Sequence, residues 1–100
     1  MIATARHRFI VCYDVREPKR LRKTHEVMLG FGDPLQYSVF VCDLSKAERL
    51  LMDDAVKQVV KLPEDFVHII DLGPARGRTL TRIRSLGHAP PPAPTRHVVL

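Results

Sequence analysis

The fold is decided by residues 8–23, with the sequence RFIVCYDVREPKRLRK. The first part of this stretch, Phe9–Tyr13, is almost wholly apolar and is rich in β-branched and aromatic residues. Such a run, bounded by charged residues, is typical of a strand that is buried in a sheet. We therefore expect a central strand that ends at Asp14.

The second part of the same stretch predicts a helix over about residues 18–30. Pro18 suits the first helical position, where a backbone N–H has no partner within the helix. Gly30 and Gly32 predict the end of the helix. The residues that share one helical stripe are Leu21, Thr24, Met28 and Phe31.

The rest of the chain continues this alternation of strands and helices. Residues 34–37 and 38–43 predict two short strands, and residues 66–72 predict a fourth. Ser45 and Glu48 form a capping box at the start of a second helix. Its apolar stripe, which ends before Pro63, consists of Ala47, Leu51, Ala55, Val59 and Leu62. The order βαββαβ predicts an α+β protein of the ferredoxin-like class, with both helices on one face of an antiparallel sheet.

The composition is that of an ordinary globular protein. Of 100 residues, 45% are hydrophobic and 27% are charged, which excludes wholesale disorder and a fibrous protein. No apolar run in the sequence approaches the roughly 20 residues that span a bilayer, and residues 1–6 show no secretory signal pattern. We therefore expect a cytoplasmic protein that does not bind a membrane.

Charge is distributed unevenly along the sequence. Residues 1–23 and 72–100 each have an excess of five positive charges, whereas residues 24–71 have an excess of five negative charges. Basic ends of this kind indicate a surface for a polyanion such as nucleic acid, although plain solubility produces the same totals. The candidate duplex-binding residues of the C-terminal end are Arg76, Arg78, Arg82 and Arg84.

The C-terminal segment departs from the predicted fold. We divide the chain into a ferredoxin-like domain, residues 1–75, and a basic and proline-rich segment, residues 76–100. Proline-rich stretches extend as polyproline II, and this one leads to the β-prone residues His97–Leu100. They predict an extra C-terminal strand that pairs with the sheet of a homodimer partner. A frayed tail is the alternative.

Asp14 is the main candidate for chemistry. A carboxylate at the end of a central strand lies at the rim of the sheet, where water reaches it. Mg²⁺ commonly takes one or two carboxylates together with phosphate oxygens of a substrate, and two Asp14 side chains across a dimer axis would meet that requirement. The alternative is a structural role for Asp14, as a cap of the helix or as a partner of Arg16 or Arg20.

The first helix begins with many cations. A group of basic residues lies before it and in its first turns, where the helix dipole favours acids: Arg16, Lys19, Arg20, Arg22 and Lys23. Exposed amides, the dipole and these cations together indicate a phosphate site. Cations on a helix surface are usually only solvated, which is the alternative here.

Other residue types carry less information. Cys12 and Cys42 lie in apolar runs and are interpreted as small buried hydrophobes. The histidines lack metal-ligand spacing, and the sequence contains no glycine-rich phosphate-binding motif. Tyr37 is open to stacking on nucleic acid bases, whereas Phe40 is better explained by core packing.

Several of these stretches together resemble a known family. They are FIVCYDV (9–15), PKRLRK (18–23), QYSVF (36–40) with Asp43 and Leu44, and the proline-rich link to a short terminal strand. In order and spacing, the likeness spans about residues 7–100. The family is that of the small CRISPR-associated endonucleases, the second of the two core spacer-acquisition proteins.

The resemblance implies a ferredoxin-like homodimer in which Asp14 binds Mg²⁺ or Mn²⁺ in the dimer cleft, with Tyr13, Ser38 and Phe40 as candidate supporting residues. It also implies metal-dependent cleavage of RNA or DNA in some members. In others, the dimer is a scaffold that holds DNA between dimers of the CRISPR integrase. A glutamate often occupies the position of Val41 in this family, and its absence here favours the scaffold.

Two functions from different classes therefore stand. In the first, the protein is a Mg²⁺-dependent endonuclease, with Asp14 as metal ligand and the cations of the first helix as phosphate clamps. In the second, it is a non-catalytic duplex-binding dimer that partners the CRISPR integrase. A small endoribonuclease toxin on the same fold is a weaker alternative.

Overall fold

The computed structural model describes residues 5–87, apart from the side chains of Arg78 and Leu80. In that range the chain forms a four-stranded antiparallel sheet with two α-helices. In chain order the elements are β1 (His7–Asp14), α1 (Pro18–Leu29), β2 (Asp33–Gln36), β3 (Val39–Leu44), α2 (Lys46–Lys57), β4 (Phe66–Pro74) and a short 3₁₀ helix, Gly77–Thr81. The predicted α+β class and the order of strands and helices are confirmed.

The strand of the opening stretch is central in the sheet, as expected. The order across the sheet is β2-β3-β1-β4, so that β1 has a neighbour on each side. Cys12 lies opposite Val39 of β3 and His68 of β4. At the end of β1, Asp14 lies opposite Phe66, the first residue of β4.

One face of the sheet carries the core. Side chains alternate between the two faces of a strand, and in β1 Phe9, Val11 and Tyr13 are buried in one cluster with Met28 of α1 and Met52 of α2. Both helices therefore pack on the same face. By the same alternation, the even-numbered residues of β1 point to the opposite face of the sheet.

This opposite surface, termed the open face, is partly apolar. It includes Ile10 and Cys12 of β1, and the β4 residues opposite or near them, Phe66 and Ile70, are 50% and 48% exposed. Cys12 is only half-buried here, which corrects the expectation that both cysteines belong to the core. Cys42 does belong to the core, and burial raises the pKa of its thiol to about 12.

The predicted stripe of α1 is confirmed. Thr24 and Met28 are buried, and Leu21 and Phe31 pack against the core. In α2 the prediction is wrong by one residue, since the buried residues are Glu48, Met52 and Val56. Leu51, a member of the predicted stripe, is 45% exposed.

The first turn of α2 explains this rotation. The hydroxyl of Ser45 accepts a hydrogen bond from the N–H of Glu48 (3.1 Å), and the carboxylate of Glu48 accepts one from the N–H of Ser45 (2.8 Å). The same carboxylate accepts two hydrogen bonds from Arg6, of 2.8 and 2.7 Å. Glu48 is therefore held inside, and Met52 and Val56, one and two turns later, point inward with it.

The second helix is also shorter than predicted. It ends at Lys57, and the N–H groups of Val59 and Val60 both return to the carbonyl of Val56 at 3.0 Å. The chain then forms turns over residues 58–65. This connection, rather than a continued helix, delivers Asp65 to the start of β4.

Gly32 connects α1 to the sheet at a point of close approach. A Cβ atom at this position would collide with the carbonyl oxygen of Val41 and with Cys42 of β3. Only glycine fits the backbone so closely against the neighbouring strand, and this contact positions β2 beside β3.

The C-terminal part of the described chain folds onto the sheet. β4 runs to Pro74, two residues beyond the prediction, and Thr79 of the 3₁₀ helix is buried. The proline-rich stretch and His97–Leu100 lie outside the described residues, so the C-terminal strand and the division at residue 75 stay predictions. Within residues 5–87, no helix is long and apolar enough to cross a membrane.

Candidate functional site

The end of β1 places Asp14 at the rim of the open face. Asp14 is exposed, and its side chain makes no hydrogen bond or ion pair with any of residues 5–87. Neither structural alternative for Asp14 is observed there, because Glu17 caps α1 and Arg20 binds Asp65. The carboxylate is therefore accessible to solvent and to a ligand.

Asp65 forms a buried junction beside the end of β1. Its carboxylate accepts two hydrogen bonds from Arg20 (2.9 and 3.2 Å), one from the N–H of Arg16 (3.0 Å) and one from the N–H of Lys61 (2.7 Å). These bonds, and those from Arg20 above all, hold the pKa of Asp65 well below its usual range. We refer to these four residues as the Asp65 junction. Sequence reasoning missed it, since Arg20 and Asp65 are 45 positions apart.

The first turn of α1 is not an open anion site. The carboxylate of Glu17 accepts hydrogen bonds from the N–H groups of Lys19 (3.0 Å) and Arg20 (2.9 Å). These bonds hold the pKa of Glu17 below its ordinary value. The amides expected to be exposed are satisfied by the chain itself, so this part of the prediction is wrong. Pro18 at the first helical position is the sequence feature that places Glu17 at the N-cap.

The predicted nucleic-acid-binding cations fall into two groups. Arg20 is engaged in the Asp65 junction, where only 24% of its side chain is exposed. The others around α1 are exposed, and these are Arg16, Lys19, Arg22 and Lys23. In the C-terminal segment the exposed ones are Arg76, Arg82 and Arg84, while the side chain of Arg78 lies outside the described part of the chain.

The remaining predicted residues form an aromatic and polar group next to Asp14. The hydroxyl of Tyr13 donates to the carbonyl of Tyr37 (2.7 Å), and its ring stacks on Phe40 with centroids 6.3 Å apart. Burial raises the pKa of Tyr13 above its usual range. The N–H of Tyr13 donates to the carbonyl of Ser38 (3.1 Å). Tyr13 and Phe40 are core residues that hold the end of β1 in place.

The opposite end of the open face carries an ion pair that the sequence did not indicate. Arg8 of β1 and Asp43 of β3 lie directly opposite each other. Arg8 donates two hydrogen bonds of 2.8 Å to Asp43, and only 8% of its side chain is exposed. The charges of Arg8 and Asp43 neutralise each other, so this pair links β1 to β3 and is not part of the Asp14 site.

Comparison with known proteins now identifies the family. Residues 7–78 match the family model described as CRISPR associated protein Cas2. Over 81% of its length, the chain is 41% identical to the CRISPR-associated endoribonuclease Cas2 of Geobacter sulfurreducens, 84% of which is covered. The chain belongs to the Cas2 family.

Another Cas2 relative and two solved structures are also similar to the chain. The CRISPR-associated endoribonuclease Cas2 1 of Rhodospirillum rubrum is 37% identical over 87% of the chain and 84% of that relative. The crystal structure of Streptococcus pyogenes Cas2 at pH 6.5 has a TM-score of 0.66 and 26% identity, covering 80% of this chain and 99% of the other. A hypothetical protein from Thermus thermophilus has a similar fold, with a TM-score of 0.71, 23% identity and coverage of 90% and 99%.

One chain of this Cas2-family protein offers few metal ligands. Among residues 5–87, no group of three or more His, Cys, Asp or Glu side chains is arranged to hold a metal ion. Mg²⁺ nevertheless needs few protein ligands, because it keeps several waters and takes phosphate oxygens of a substrate. The free Asp14 carboxylate fits Mg²⁺ or Mn²⁺ as one hard oxygen ligand among several.

Val41, where the resemblance implies a frequent glutamate, lies away from Asp14. Val41 is 6% exposed and lies opposite Ile10 on the neighbouring strand. Ile10 precedes Asp14 by four residues, which is about 13 Å at a rise of about 3.3 Å per residue. A carboxylate at position 41 would not reach a metal bound to Asp14 of the same chain. The absence of glutamate therefore does not remove a ligand from the Asp14 site of one protomer.

Proposed function

We propose that this protein acts in CRISPR spacer acquisition as a metal-dependent endonuclease that cleaves RNA or DNA in the cytoplasm. The observation that carries the proposal is the exposed carboxylate of Asp14, which has no partner among residues 5–87 and ends a central strand. A metal ligand or catalytic group is most accurately placed on such a rigid element. Relatives that are 41% and 37% identical are named CRISPR-associated endoribonucleases, which agrees with this activity.

Asp14 is the residue that would hold Mg²⁺ or Mn²⁺. When bound, such a metal polarises a phosphodiester and lowers the pKa of a coordinated water. The chain contributes a fixed position for the carboxylate, because the preceding Tyr13 is anchored through its N–H and its hydroxyl to the β2–β3 turn. Lys19 and Arg22, which are exposed on α1, are suited to bind phosphate groups of the substrate.

A homodimer would supply a second Asp14 carboxylate to the metal. The strand order and the antiparallel pairs fit a ferredoxin-like sheet, and in residues 5–87 both α-helices lie on the face opposite the open face. On that face Phe66 and Ile70 are half-exposed beside Ile10, and contact with a second copy would bury this apolar surface. Since Asp14 borders the open face, two-fold pairing through it would bring two Asp14 side chains together.

The C-terminal strand is proposed to complete the dimer. Residues His97–Leu100 would pair with the sheet of the partner, so the dimer should depend on them. Light scattering on the full chain and on a chain truncated after Gly87 measures this dependence. We expect a dimer for the full chain and a weaker one for the truncated chain. A full-length monomer at micromolar concentration would contradict the dimer, and an unchanged truncated dimer would contradict the exchanged strand.

The nuclease proposal is tested with labelled single-stranded RNA and double-stranded DNA, with Mg²⁺ or Mn²⁺ and with EDTA. We expect cleavage to require metal and to fall by at least about 100-fold in Asp14→Asn, because a carboxylate that binds the metal is lost. Asp54→Asn is the matched control, since Asp54 is an exposed carboxylate on α2. Equal cleavage by the parent and Asp14→Asn would show that another group is responsible and would refute the proposal.

A non-catalytic scaffold is the second candidate function, and Val41 favours it. Val41 lies opposite Ile10 at the position where the resemblance implies a frequent glutamate, so a dimer formed through the open face would lack a carboxylate there. In this function the exposed arginines after β4 bind duplex DNA, and the CRISPR integrase is the partner. Spacer integration that is unchanged by Asp14→Asn would support the scaffold over the nuclease.

A further inference from the structure

Tyr37 presents an aromatic ring to solvent on the turn between β2 and β3. The residue is 49% exposed. One face of its ring lies flat on the imidazole of His25 in α1, with centroids 4.0 Å apart and an angle of 3° between the planes. His25 and Tyr37 therefore form an aromatic stack with one covered side and one accessible side.

Three contacts hold the aromatic stack in a single geometry. Nδ1 of His25 donates to the carbonyl of Tyr37 (2.8 Å), and the hydroxyl of Tyr13 donates to the same oxygen (2.7 Å). The edge of the His25 ring also meets Phe40 of the core, with centroids 5.3 Å apart. Both hydrogen bonds use the backbone of Tyr37, so they do not require its ring. The ring is thus well positioned without being part of the core.

The aromatic stack lies at the same end of the sheet as Asp14. The carbonyl of Ser38, within the same turn, accepts a hydrogen bond from the N–H of Tyr13 (3.1 Å), the residue directly before Asp14. On α1, Arg22 precedes His25 by three residues and is exposed, and residues at this spacing lie on the same side of a helix. An open ring and a cation on the helix side, and a free carboxylate at the rim of the open face, therefore lie at one end of the sheet.

We propose that the accessible side of Tyr37 stacks on an unpaired base of a single-stranded nucleic acid. The proposal rests on the nuclease function above and narrows its substrate to strands with a free base near Asp14. A base inside a duplex is stacked on both sides, whereas an unpaired base stacks on an aromatic side chain with little dependence on sequence. His25 preorganises the ring, so little side-chain freedom is lost on binding.

The test measures binding of the full-length protein in EDTA, which prevents cleavage. The fluorescent probes are oligothymidylate and oligouridylate, an abasic strand of equal length and a long duplex. Tyr37→Ala should weaken binding of the oligomers that carry bases by about tenfold and leave the abasic strand and the duplex unchanged. Tyr37→Phe keeps the ring and should bind as the parent does, and Leu50→Ala, an exposed change on α2, is the control. The ratio between the two oligomers shows whether DNA or RNA supplies the base.

A second measurement places a reporter in the stack itself. The sequence contains no tryptophan, so Tyr37→Trp provides a single one. Base stacking should quench its fluorescence when oligothymidylate is added, and the abasic strand should leave the fluorescence unchanged. If Tyr37→Trp binds oligothymidylate and its tryptophan fluorescence is not quenched, the proposal is overturned.

The outcomes separate this proposal from the nuclease function. Stacking is refuted if Tyr37→Ala lowers the affinity for every probe alike, if it leaves the affinity for oligothymidylate unchanged, or if the parent binds no single strand. The nuclease function fails by a different result, cleavage that does not depend on Asp14. A failure of the stacking proposal is therefore distinguishable from a failure of the nuclease function.

Discussion

Asp14 and Asp65 lie at the same end of the sheet in opposite surroundings. Asp14 ends β1, and Phe66, the residue opposite it, directly follows Asp65. Asp65 is fully buried and accepts hydrogen bonds from one guanidinium and two backbone amides. Asp14 is exposed and has no such partner among residues 5–87.

The different surroundings give the two carboxylates different roles: Asp65 stabilises the fold, and Asp14 is available for chemistry. Burial of a charge is costly unless the charge is paired and hydrogen-bonded, so the oxygens of Asp65 are fully used in holding α1 and the β1–α1 loop. The same bonds remove Arg20 from the cations free to bind phosphate. Asp14 keeps its oxygens for a ligand because the Asp65 junction already stabilises this end of the sheet.

The largest expected effect comes from Asp65→Ala. The change leaves the guanidinium of Arg20 and two backbone N–H groups without their acceptor, and we expect the free energy of unfolding to fall by about 3 kcal/mol. Asp14→Ala should change it by less than about 0.5 kcal/mol. Urea unfolding followed by circular dichroism measures both variants. If Asp65→Ala and Asp14→Ala have similar free energies of unfolding, the distinction between a structural Asp65 and an available Asp14 is wrong.

A second expected effect is a dependence of stability on acid pH. Hydrogen bonds from Arg6 lower the pKa of Glu48 to about 2, and the pKa of Asp65 is lowered by Arg20. Because both are depressed in the folded state, their stabilisation is complete above the unfolded values of about 4 and is lost as the pH falls through the folded ones. Thermal unfolding should therefore shift to lower temperature from about pH 4 downward.

The matched variants sharpen this pH comparison. Asp65→Asn should show a shallower decline below pH 4 than the parent, because a buried carboxylate with a lowered pKa is gone. Asp14→Asn should follow the profile of the parent. Parallel profiles for the parent and Asp65→Asn would contradict the assignment of acid sensitivity to the Asp65 junction.

A smaller effect is expected from the arginines that follow β4. Replacement of the set Arg76, Arg78, Arg82 and Arg84 by alanine should weaken binding of every duplex alike. It should also flatten the salt dependence, by about 0.9 in log–log slope for each phosphate that is no longer neutralised. Asp14→Asn should change neither quantity. Titrations at several salt concentrations measure this, and unchanged duplex binding by the fourfold variant would show that these arginines are only solvated.

The smallest effect concerns the two Asp14 side chains in a dimer. If they meet, their like charges oppose association in the absence of metal, and Asp14→Asn should tighten the dimer by about two- to fivefold. Mg²⁺ should reduce this difference between the parent and the variant. Sedimentation at several concentrations, with and without Mg²⁺, measures both. If the parent and Asp14→Asn have the same dimer affinity in EDTA, the two Asp14 side chains do not meet in the dimer.

Much of the fold was predictable because its signals are local. The apolar run of β1, the stripe of α1 and the capping box of α2 depend on residues within a few positions of one another, and all three are present. Pro18 marked the start of α1, but the cap by Glu17 was not predicted, because glutamate is not among the usual N-cap residues. The face that α2 buries was not predicted either, because Arg6, from the start of the chain, draws Glu48 inward and turns the helix by one residue.

The sequence by itself determined the order of strands and helices and the place of Asp14 at the end of a central strand, because periodicity and short-range hydrogen bonds encode both. Only the tertiary structure decided how the charges pair. Arg20 binds Asp65, 45 positions away, and Arg6 binds Glu48, 42 positions away. Such pairs depend on where distant parts of the chain meet and on which groups lose their water there. Among residues 5–87, that meeting leaves the carboxylate of Asp14 without a partner.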